Sequence, residues 1–406
     1  MLNKACAAVL LAAGIVGNAA EPVIWKGEVP DALTSASGRK IATVQEWETI
    51  RKPELLELFS REVYGRSPRA PRKAEFRLLE RSEDALDGKA IRIQGDVTIP
   101  GVNLPHPWRM LIYLPKNAKK PVPVFWGMNF KGNQALSEDP GVLIPEWYQP
   151  VRPRGAAKSR YPLEQILDAG YGIATMRYYE IEPDRDGEWK NSLRGVFTPE
   201  GQLKPDDWGA IAAWAWGLSR GMDVLEKMPE VGPVAVWGHS RLGKTALWAG
   251  ANDPRFAAVI SNDSGCGGAS ISRRILPGGK SETLKVINER FPHWFAKNFL
   301  KYIDREETLP VDQHELIALC APRPVFIASA AEDLWADPEG EFLAAKLASP
   351  VYALWNLPGI PAEQEMPKVH EPVGGRVGYY IRSGGHDVTP RDWQAYCDFL
   401  SQNGIR

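Results

Sequence analysis

The stretch that decides the fold is VAVWGHSRLGKTALWAG, residues 234–250. Its first four residues are apolar, as in a buried β-strand, and RLGKTALWAG has the pattern of a helix. Between them, Gly238, His239 and Ser240 leave room only for a sharp turn. A serine at such a turn stands exposed above the sheet, and the backbone N–H after it points to where an oxyanion would form. The stretch therefore predicts the nucleophile of a serine hydrolase.

The turn departs from the usual G-x-S-x-G pattern at its last position. In that pattern, a glycine two residues after the serine lets the helix and the strand pack closely. Here Leu242 stands at that position, and Gly243 follows one place later. A structural turn whose serine only caps the helix is the alternative interpretation.

Apolar strands alternate with amphipathic helices from about residue 106 to the C-terminus. Strand-like runs such as PVPVFWGMNF (121–130) and YGIATMRYY (171–179) are separated by helical patterns. This alternation indicates a mostly parallel sheet covered on both faces, which is a three-layer α/β/α sandwich. Residues 21–105 are expected to form an N-terminal layer within a single catalytic domain, residues 21–406.

Three long loops interrupt the alternation, at residues 129–160, 179–205 and 350–376. In an open α/β sheet, ligands bind beyond the carboxyl ends of the strands. Loops of this length are usually functional. We therefore expect the first two loops to form walls around the site.

The composition limits the classes of partner. The 406 residues are 44% apolar and 24% charged, as in a globular chain with a large core. Forty-nine basic and 50 acidic residues give a net charge of -1, and no run of like charge stands out. No nucleic-acid partner is expected. We expect a monomer.

Residues 1–20, MLNKACAAVLLAAGIVGNAA, have the pattern of a secretory signal peptide. One lysine precedes a short apolar run, and small residues precede Glu21. The apolar run is too short for a stable membrane anchor. Cleavage near Ala20 predicts a periplasmic or secreted protein with no membrane association afterwards.

Cleavage would remove Cys6 and leave Cys266, Cys320 and Cys397. Their spacing is not that of metal ligands. At most one disulfide can form among three cysteines, and three buried free thiols are the preferred interpretation.

A serine hydrolase needs a histidine late in the chain, after the last strand. The run YYIRSGGHDVTPRDW supplies His386, which follows a strand-like segment and two glycines. His239 adjoins the serine, and its side chain is expected to be directed elsewhere. The remaining four histidines are interpreted as core or surface residues: His106, His293, His314 and His370.

Two carboxylates are candidates for the third member of a triad. Asp333 lies at the end of the strand in FIASAAEDLWADP, which fits the chain order Ser, acid, His. Asp263 lies at the end of the preceding strand, in VISNDSGCGG. Glu332 is a weaker alternative, because its neighbour has the shorter and stiffer side chain. Each of these could instead be a helix N-cap or a loop carboxylate.

Several motifs along the chain carry a family resemblance: GMNFKGN (127–133), DDWGAIAAWAWGLSRGMD (206–223), GHSRLGKTALWAGA (238–251), NDSGCGGASISRR (262–274), RFPHWF (290–295), EDLWADPEGEF (332–342) and GGHD (384–387). Together they resemble the bacterial glucuronoyl esterases, carbohydrate esterase family 15 of the α/β-hydrolase superfamily. The resemblance extends from about residue 40 to the C-terminus. In this family the second glycine of the turn stands three residues after the serine, as Gly243 does.

The resemblance implies an α/β-hydrolase fold and an acyl-enzyme on Ser240. It implies hydrolysis of the ester between (4-O-methyl-)glucuronic acid of glucuronoxylan and lignin alcohols. His386 would be the base, and Arg241 would help to stabilise the oxyanion. The substrate-binding positions implied by the family are Lys244, Glu282 and Trp335. Helical geometry agrees for Lys244, because residues four apart share one face of a helix.

The family leaves the acid open. Fungal members carry glutamate at the position of Asp263, whereas many bacterial members use the acid after the following strand, where Asp333 stands. Fungal members also carry a disulfide-forming cysteine at the position of His239, so that bridge is absent here.

Two other functions compete with this interpretation. The same fold could act on acetylated xylan or other sugar esters, because only the pocket would differ. An inactive carbohydrate-binding protein is a rival of another class, and the intact Ser240, His386 and two acids argue against it. No metal or other cofactor is expected, since neither metal-ligand spacing nor a phosphate-binding glycine loop is found.

Overall fold

The computed structural model describes residues 22–68, 73–119, 121–198 and 203–406. The signal peptide predicted for residues 1–20 lies outside these ranges. Within them, none of the helices combines the length and the apolar character that crossing a bilayer requires.

The strands of the described residues form one large sheet and one small one. In chain order they are β1 (Ile24–Trp25), β2 (Glu75–Asp84), β3 (Ala90–Thr98), β4 (Trp108–Pro115), β5 (Val122–Asn129), β6 (Gly172–Arg177), β7 (Val231–His239), β8 (Ala258–Asn262), β9 (Arg274–Ile275), β10 (Val325–Ala330), β11 (Val373–Gly374) and β12 (Val377–Arg382). The ten-stranded sheet has the order β11-β12-β10-β8-β7-β5-β6-β4-β3-β2, and β1 pairs with β9. The neighbours from β12 to β6 run parallel, and the strands beyond them pair antiparallel.

Helices cover both faces of the large sheet. In chain order they are α1 (Val44–Glu46), α2 (Lys52–Phe59), α3 (Ala85–Gly88), α4 (Leu163–Asp168), α5 (Leu193–Phe197), α6 (Ala210–Leu225), α7 (Arg241–Asn252), α8 (Leu284–Arg290), α9 (Gln313–Ala318), α10 (Pro338–Ala353) and α11 (Pro390–Gln402). Apolar residues of α6, α7, α9 and α10 belong to one buried cluster, and those of α4 and α11 belong to a second.

The central strand β7 separates these two clusters. Val234 and Val236 belong to the first cluster, whereas Ala235 and Trp237 belong to the second. Successive side chains of a strand point to opposite faces, so a strand that is apolar throughout is buried on both. The expected three-layer α/β/α sandwich, with the α/β-hydrolase fold and a mostly parallel sheet, is confirmed.

The N-terminal residues join the same sheet. Strand β2 pairs with β3, and β3 pairs with β4 from Ala90 to Val97. On one face, Phe59 at the end of α2 lies 6.4 Å from the ring of Trp248 in α7, measured between ring centroids. Residues 75–98 therefore extend the sheet that carries the site.

Three buried cysteines are free thiols, as the preferred interpretation predicted: Cys266, Cys320 and Cys397. Burial raises the pKa of the Cys320 thiol to about 11 and that of Cys397 to about 12. It raises the pKa of Cys266 well above its ordinary value. Thiols with raised pKa in apolar surroundings are chemically inert.

Candidate active site

Four candidate residues follow parallel strands at one edge of the sheet. Ser240 directly follows β7, and Asp263 directly follows β8. Short turns place Asp333 after β10 and His386 after β12. Because the carboxyl ends of parallel strands lie at the same edge, residues far apart in the sequence meet there. All four line one cavity of about 310 Å³.

Ser240 has the backbone of a nucleophile elbow. Its φ of 58° and ψ of -128° lie in a region that residues with a side chain rarely adopt. Its backbone N–H donates to the carbonyl oxygen of Asn262 at 2.9 Å, which ties the turn to the end of β8. Gly238 permits the turn, because a Cβ there would lie 2.0 Å from the carbonyl oxygen of Leu242.

Gly243 has the packing role that the usual pattern gives to the preceding residue. A Cβ at Gly243 would lie 3.0 Å from Ser261 Oγ and 3.0 Å from Ser264 Cβ. Leu242 is instead buried in the apolar cluster of α6 and α7. The second glycine is displaced because the face of α7 that approaches β8 carries residue 243 and not residue 242.

Asp333 is the carboxylate hydrogen-bonded to the candidate base. His386 Nδ1 lies 2.6 Å from Asp333 Oδ2, within the range of charge-assisted hydrogen bonds. The Asp333 side chain is 4% exposed and that of His386 is 41% exposed. A carboxylate at Nδ1 fixes the tautomer, so that Nε2 can accept a proton from a nucleophile.

Asp263 has a different partner. Its Oδ2 accepts a hydrogen bond from Arg382 Nη2 at 3.3 Å, and its Oδ1 has no partner among the described residues. Burial raises the pKa of Asp263 well above its ordinary value, and the charges of Glu341 and Asp333 raise it further. Potential ligand atoms of Asp263, Asp333 and His386 lie within 4.8 Å of one another, the one such group of three found in the described residues.

His239 is buried and is not among the residues that line the cavity of Ser240, but its ring lies against His386. The two ring centroids are 4.5 Å apart. His239 is the last residue of β7, and alternation places it on the same sheet face as Trp237. Its Nδ1 lies 2.6 Å from Asn262 Oδ1. Burial lowers the pKa of His239 well below its ordinary value, and the charge of His386 lowers it further.

A buried ion pair joins Lys244 and Glu282 elsewhere in the cavity. Lys244 Nζ lies 2.8 Å from Glu282 Oε2, and it donates to the carbonyl oxygens of Ser264 at 2.5 Å and Cys266 at 2.6 Å. Glu282 Oε1 also accepts from Trp335 Nε1 at 3.3 Å. An ammonium group has three donors, so these contacts use all three. Lys244 therefore orients Glu282 in this structure.

Arg241 lies between aromatic rings and a carboxylate. Its Nη1 donates to Asp184 Oδ2. Its guanidinium carbon is 4.7 Å from the ring centroid of Trp294 and 5.4 Å from that of Phe291. The side chain is 26% exposed and lines the cavity beside Ser240. The arrangement fixes a cation next to the candidate nucleophile.

Comparisons with known proteins agree on one family. A family model described as fungal glucuronyl esterase matches residues 168–355. The carbohydrate esterase MZ0003, from an unknown prokaryotic organism, is 42% identical over 400 residues, which cover 94% of this chain and 91% of that protein. The structure of a glucuronoyl esterase from Solibacter usitatus is 45% identical, with a TM-score of 0.87, over 93% of this chain and 98% of that chain. The chain belongs to carbohydrate esterase family 15.

Membership of carbohydrate esterase family 15 makes the chain a carboxylic ester hydrolase, and it confirms the resemblance that the motifs carry. The match extends to a more distant member. A family 15 glucuronoyl esterase from Teredinibacter turnerae T7901 is 34% identical, with a TM-score of 0.78, over 93% of this chain and 89% of that chain.

The walls of the cavity in this family 15 chain differ from those expected. Among the described residues, those that line it come from segments that follow β7, β8, β10 and β12, and none comes from residues 129–160 or 179–205. The prediction that these two loops wall the site is therefore wrong. They contact Arg241 from behind instead, through Phe130 at 5.8 Å and through Asp184.

Sequence reasoning missed four residues around the site: Asp184, Arg290, Phe291 and Trp294. The aromatic run RFPHWF directly after α8 was a usable signal for three of them, because aromatic side chains line most ligand pockets. Asp184 had no such signal, since it stands in an irregular loop far from Arg241 in the sequence.

Glu341, in α10, supports the loop after β8 from below. Its Oε1 accepts the backbone N–H groups of Ser264 at 2.7 Å and Gly265 at 3.0 Å, and its Oε2 accepts Ser329 Oγ at 2.5 Å. Burial raises the pKa of Glu341 to about 7. In an unfolded chain the glutamate pKa is about 4.3. Between that pH and about pH 7, the native state therefore binds more protons than the unfolded state. The contribution of Glu341 to the free energy of unfolding falls as the pH rises through that window.

We expect Glu341→Gln to remove part of the pH dependence of stability, because an amide does not titrate. The Tm of the wild type should fall relative to that of the variant as the pH is raised from about 5 to about 8. Thermal unfolding followed by circular dichroism at several pH values measures the difference. A difference in Tm that does not change with pH would contradict this assignment.

Proposed function

We propose that the chain hydrolyses the ester between (4-O-methyl-)glucuronic acid of glucuronoxylan and lignin alcohols, through an acyl-enzyme on Ser240. One observation carries the proposal: a single cavity holds Ser240 and the Asp333–His386 pair together with the Lys244–Glu282 ion pair. The first set suits acyl transfer. The second set suits a hydroxyl-bearing acyl group and would be poorly used by an aliphatic one.

The first half of the reaction forms the acyl-enzyme. Ser240 Oγ attacks the ester carbonyl carbon while His386 Nε2 accepts its proton, and Asp333 stabilises the resulting imidazolium. The tetrahedral intermediate then collapses, and the bond between the carbonyl carbon and the alcohol oxygen breaks. His386 returns the proton to that oxygen, so the lignin alcohol leaves as a neutral molecule.

The second half releases the sugar acid. A water molecule loses a proton to His386 and attacks the acyl carbon, and Ser240 leaves with the proton that His386 returns. The product is glucuronate still attached to xylan, with its carboxylate ionised at neutral pH.

Two groups of Arg241 are placed to stabilise the oxyanion. Its backbone N–H is the first of α7, and the first N–H groups of a helix have no partner inside that helix. Its guanidinium adds a fixed positive charge in a largely enclosed place, where electrostatic stabilisation is strong.

Glu282 and Trp335 are proposed to bind the sugar. The Glu282 carboxylate accepts hydrogen bonds and would receive them from ring hydroxyls, while Lys244 fixes its orientation. The indole of Trp335 offers an apolar face to the ring, and Arg290 lies 5.4 Å from its centroid. A cavity of about 310 Å³ is at the small end of ligand pockets, as a single uronoyl group requires.

Substrate preference tests the proposal directly. We expect a higher kcat/KM for benzyl glucuronate than for acetylated xylose or p-nitrophenyl acetate, because an acetyl group has no hydroxyl to donate to Glu282. Initial rates with purified enzyme measure this ratio. If acetyl esters are the better substrates, the enzyme is a carbohydrate esterase for acetylated xylan or related esters instead.

Lys244→Ala should reduce activity mainly on glucuronates. Losing the cation that orients Glu282 should lower kcat/KM for benzyl glucuronate by roughly two orders of magnitude, and that for p-nitrophenyl acetate by less than about threefold. The ratio of the two rates does not depend on how much of the variant is folded. Lys280→Ala, which replaces an exposed lysine two residues before Glu282, is the control and should change neither rate. Equal losses on both substrates would contradict a role in sugar binding.

We also propose that the chain is exported to the periplasm or beyond and acts there as a monomer. The pattern of residues 1–20 supports export. Sequencing the N-terminus of the protein recovered from its host tests the cleavage near Ala20, and gel filtration tests the monomer.

A further inference from the structure

Asp184 is buried behind the active site and joins three segments of the chain. It lies in the loop after β6, and its side chain is 6% exposed. Its Oδ1 accepts from His293 Nε2 at 2.9 Å and from Trp294 Nε1 at 2.7 Å. Its Oδ2 accepts from Tyr178 Oη at 3.0 Å and from Arg241 Nη1. One carboxylate therefore has four donors, of which one belongs to the residue after the nucleophile.

These donors keep the carboxylate ionised. Burial opposes ionisation, but the hydrogen bond from His293 and the charge of Arg241 together lower the pKa of Asp184 to about 2. A fully bonded, ionised group in a buried place is rigid, because any movement would leave a charge without partners. Asp184 thus offers Arg241 a fixed anchor.

Arg241 depends on this anchor for its position. A free arginine side chain samples many rotamers, and fixing it costs up to about 2 kcal/mol of conformational entropy. Trp294, Phe291 and Phe130 lie around the guanidinium, and contacts with ring faces are less directional than hydrogen bonds. The ion pair with Asp184 supplies the directional contact. Arg241 Nε is buried without a hydrogen-bond partner among the described residues, so the directional contact with Asp184 is made by Nη1.

We propose that Asp184 is the positioning residue that holds the Arg241 guanidinium in place for the oxyanion. The inference rests on the proposed function, because it acts through the oxyanion role assigned to Arg241. Preorganised donors accelerate a reaction because they need no reorientation when charge develops. Asp184 does not line the cavity, so we expect its effect on the reaction to pass through Arg241.

Kinetics of Asp184→Asn give the first test. The amide is nearly isosteric but loses the charge that holds the guanidinium. We expect kcat for benzyl glucuronate to fall by roughly 10- to 100-fold, somewhat less than the loss from removing an oxyanion donor. KM should change by less than about threefold, because the oxyanion contact forms only in the transition state. A variant whose KM rises while kcat is unchanged would overturn the inference.

A double-mutant cycle separates positioning from simple structural support. In an Arg241→Ala background, Asp184→Asn should lower kcat by less than about threefold, because the residue through which it acts is absent. If the two losses multiply, Asp184 does not act through Arg241 and the inference fails, while the proposed function stands. If Arg241→Ala leaves kcat unchanged, the oxyanion role and this inference fail together.

Chemical rescue distinguishes a positioning role of Asp184 from a purely structural one, because a structural role would not affect the recovery of activity by added guanidinium. Guanidinium chloride at low millimolar concentration should restore part of the activity of Arg241→Ala, because the ion can occupy the vacated place between Asp184 and Trp294. The same ion should restore nothing in the Arg241→Ala, Asp184→Asn double variant. Equal rescue of both proteins would overturn the inference.

A second buried carboxylate in the same loop serves as the matched control. Glu182 Oε1 accepts from Arg194 Nε at 2.8 Å, and its side chain is 0% exposed. Glu182→Gln should lower Tm, and any loss of kcat should be the same with and without Arg241.

If Asp184→Asn does not fold, Tyr178→Phe removes one neutral donor from Asp184. It should lower kcat about threefold in the wild type and leave Arg241→Ala unchanged. Equal effects in both backgrounds would overturn the inference.

Discussion

Replacing Ser240 by alanine is expected to lower kcat for benzyl glucuronate by roughly three or more orders of magnitude. The hydroxyl is the group that forms the acyl-enzyme, and without it only binding and oxyanion stabilisation remain. His386→Ala should cause a similar loss, because Ser240 is a weak nucleophile unless a base accepts its proton. Initial rates at saturating substrate measure both effects.

Controls distinguish a loss of the catalytic hydroxyl in Ser240→Ala from a loss of folded protein. Ser240→Ala should keep the far-ultraviolet circular dichroism and the cooperative unfolding of the wild type, since the alanine removes one partly exposed oxygen. Ser383→Ala, an exposed serine beyond β12, should retain full activity. EDTA should not change the rate of the wild type. Near-normal turnover by Ser240→Ala would rule out the serine mechanism, and strong inhibition by EDTA would indicate a metal in the reaction.

The second large effect is expected from Asp333→Asn. The amide cannot hold the imidazolium of His386, and it favours the wrong tautomer by offering an N–H to Nδ1. A loss of about two to four orders of magnitude in kcat follows from the behaviour of buried triad carboxylates. Asp263→Asn should cost less than about tenfold, because Asp263 pairs with Arg382.

Comparing the two aspartate variants decides which acid serves His386. Both side chains are buried near the same ring, so the two substitutions make a matched pair. The rates should be measured with the same ester, and Tm should be recorded for each protein. A larger loss for Asp263→Asn than for Asp333→Asn would assign the acid to the position after β8.

The strand order explains why the sequence left this choice open. Both acids end strands that precede the histidine, and the hydrophobic pattern does not say which strand lies next to β12. In the structure β10 pairs with β12, and β8 lies one strand further away. The loop that carries Asp333 is therefore adjacent to the loop of His386. Lateral order in a sheet results from long-range pairing, which local patterns do not encode.

Other features of the fold and the site could be predicted from the sequence to different degrees. The layers followed from apolar strands alternating with helices. Lys244 and Ser240 line one cavity, in agreement with the helix face that residues four apart share. The contact between His239 and His386 was not foreseen, since it joins segments far apart in the sequence. Asp184 was not foreseen, since nothing in an irregular loop indicates which distant cation it will meet.

The three buried thiols make unfolding chemically visible. A chain beginning at residue 21 carries only Cys266, Cys320 and Cys397, all buried. A maleimide reacts with thiolates, which the native protein scarcely forms and the unfolded chain forms readily. Labelling followed by mass spectrometry therefore counts unfolded molecules in the sample used for kinetics. Each rate can then be divided by the amount of native enzyme that produced it, without a second preparation or a separate melting curve.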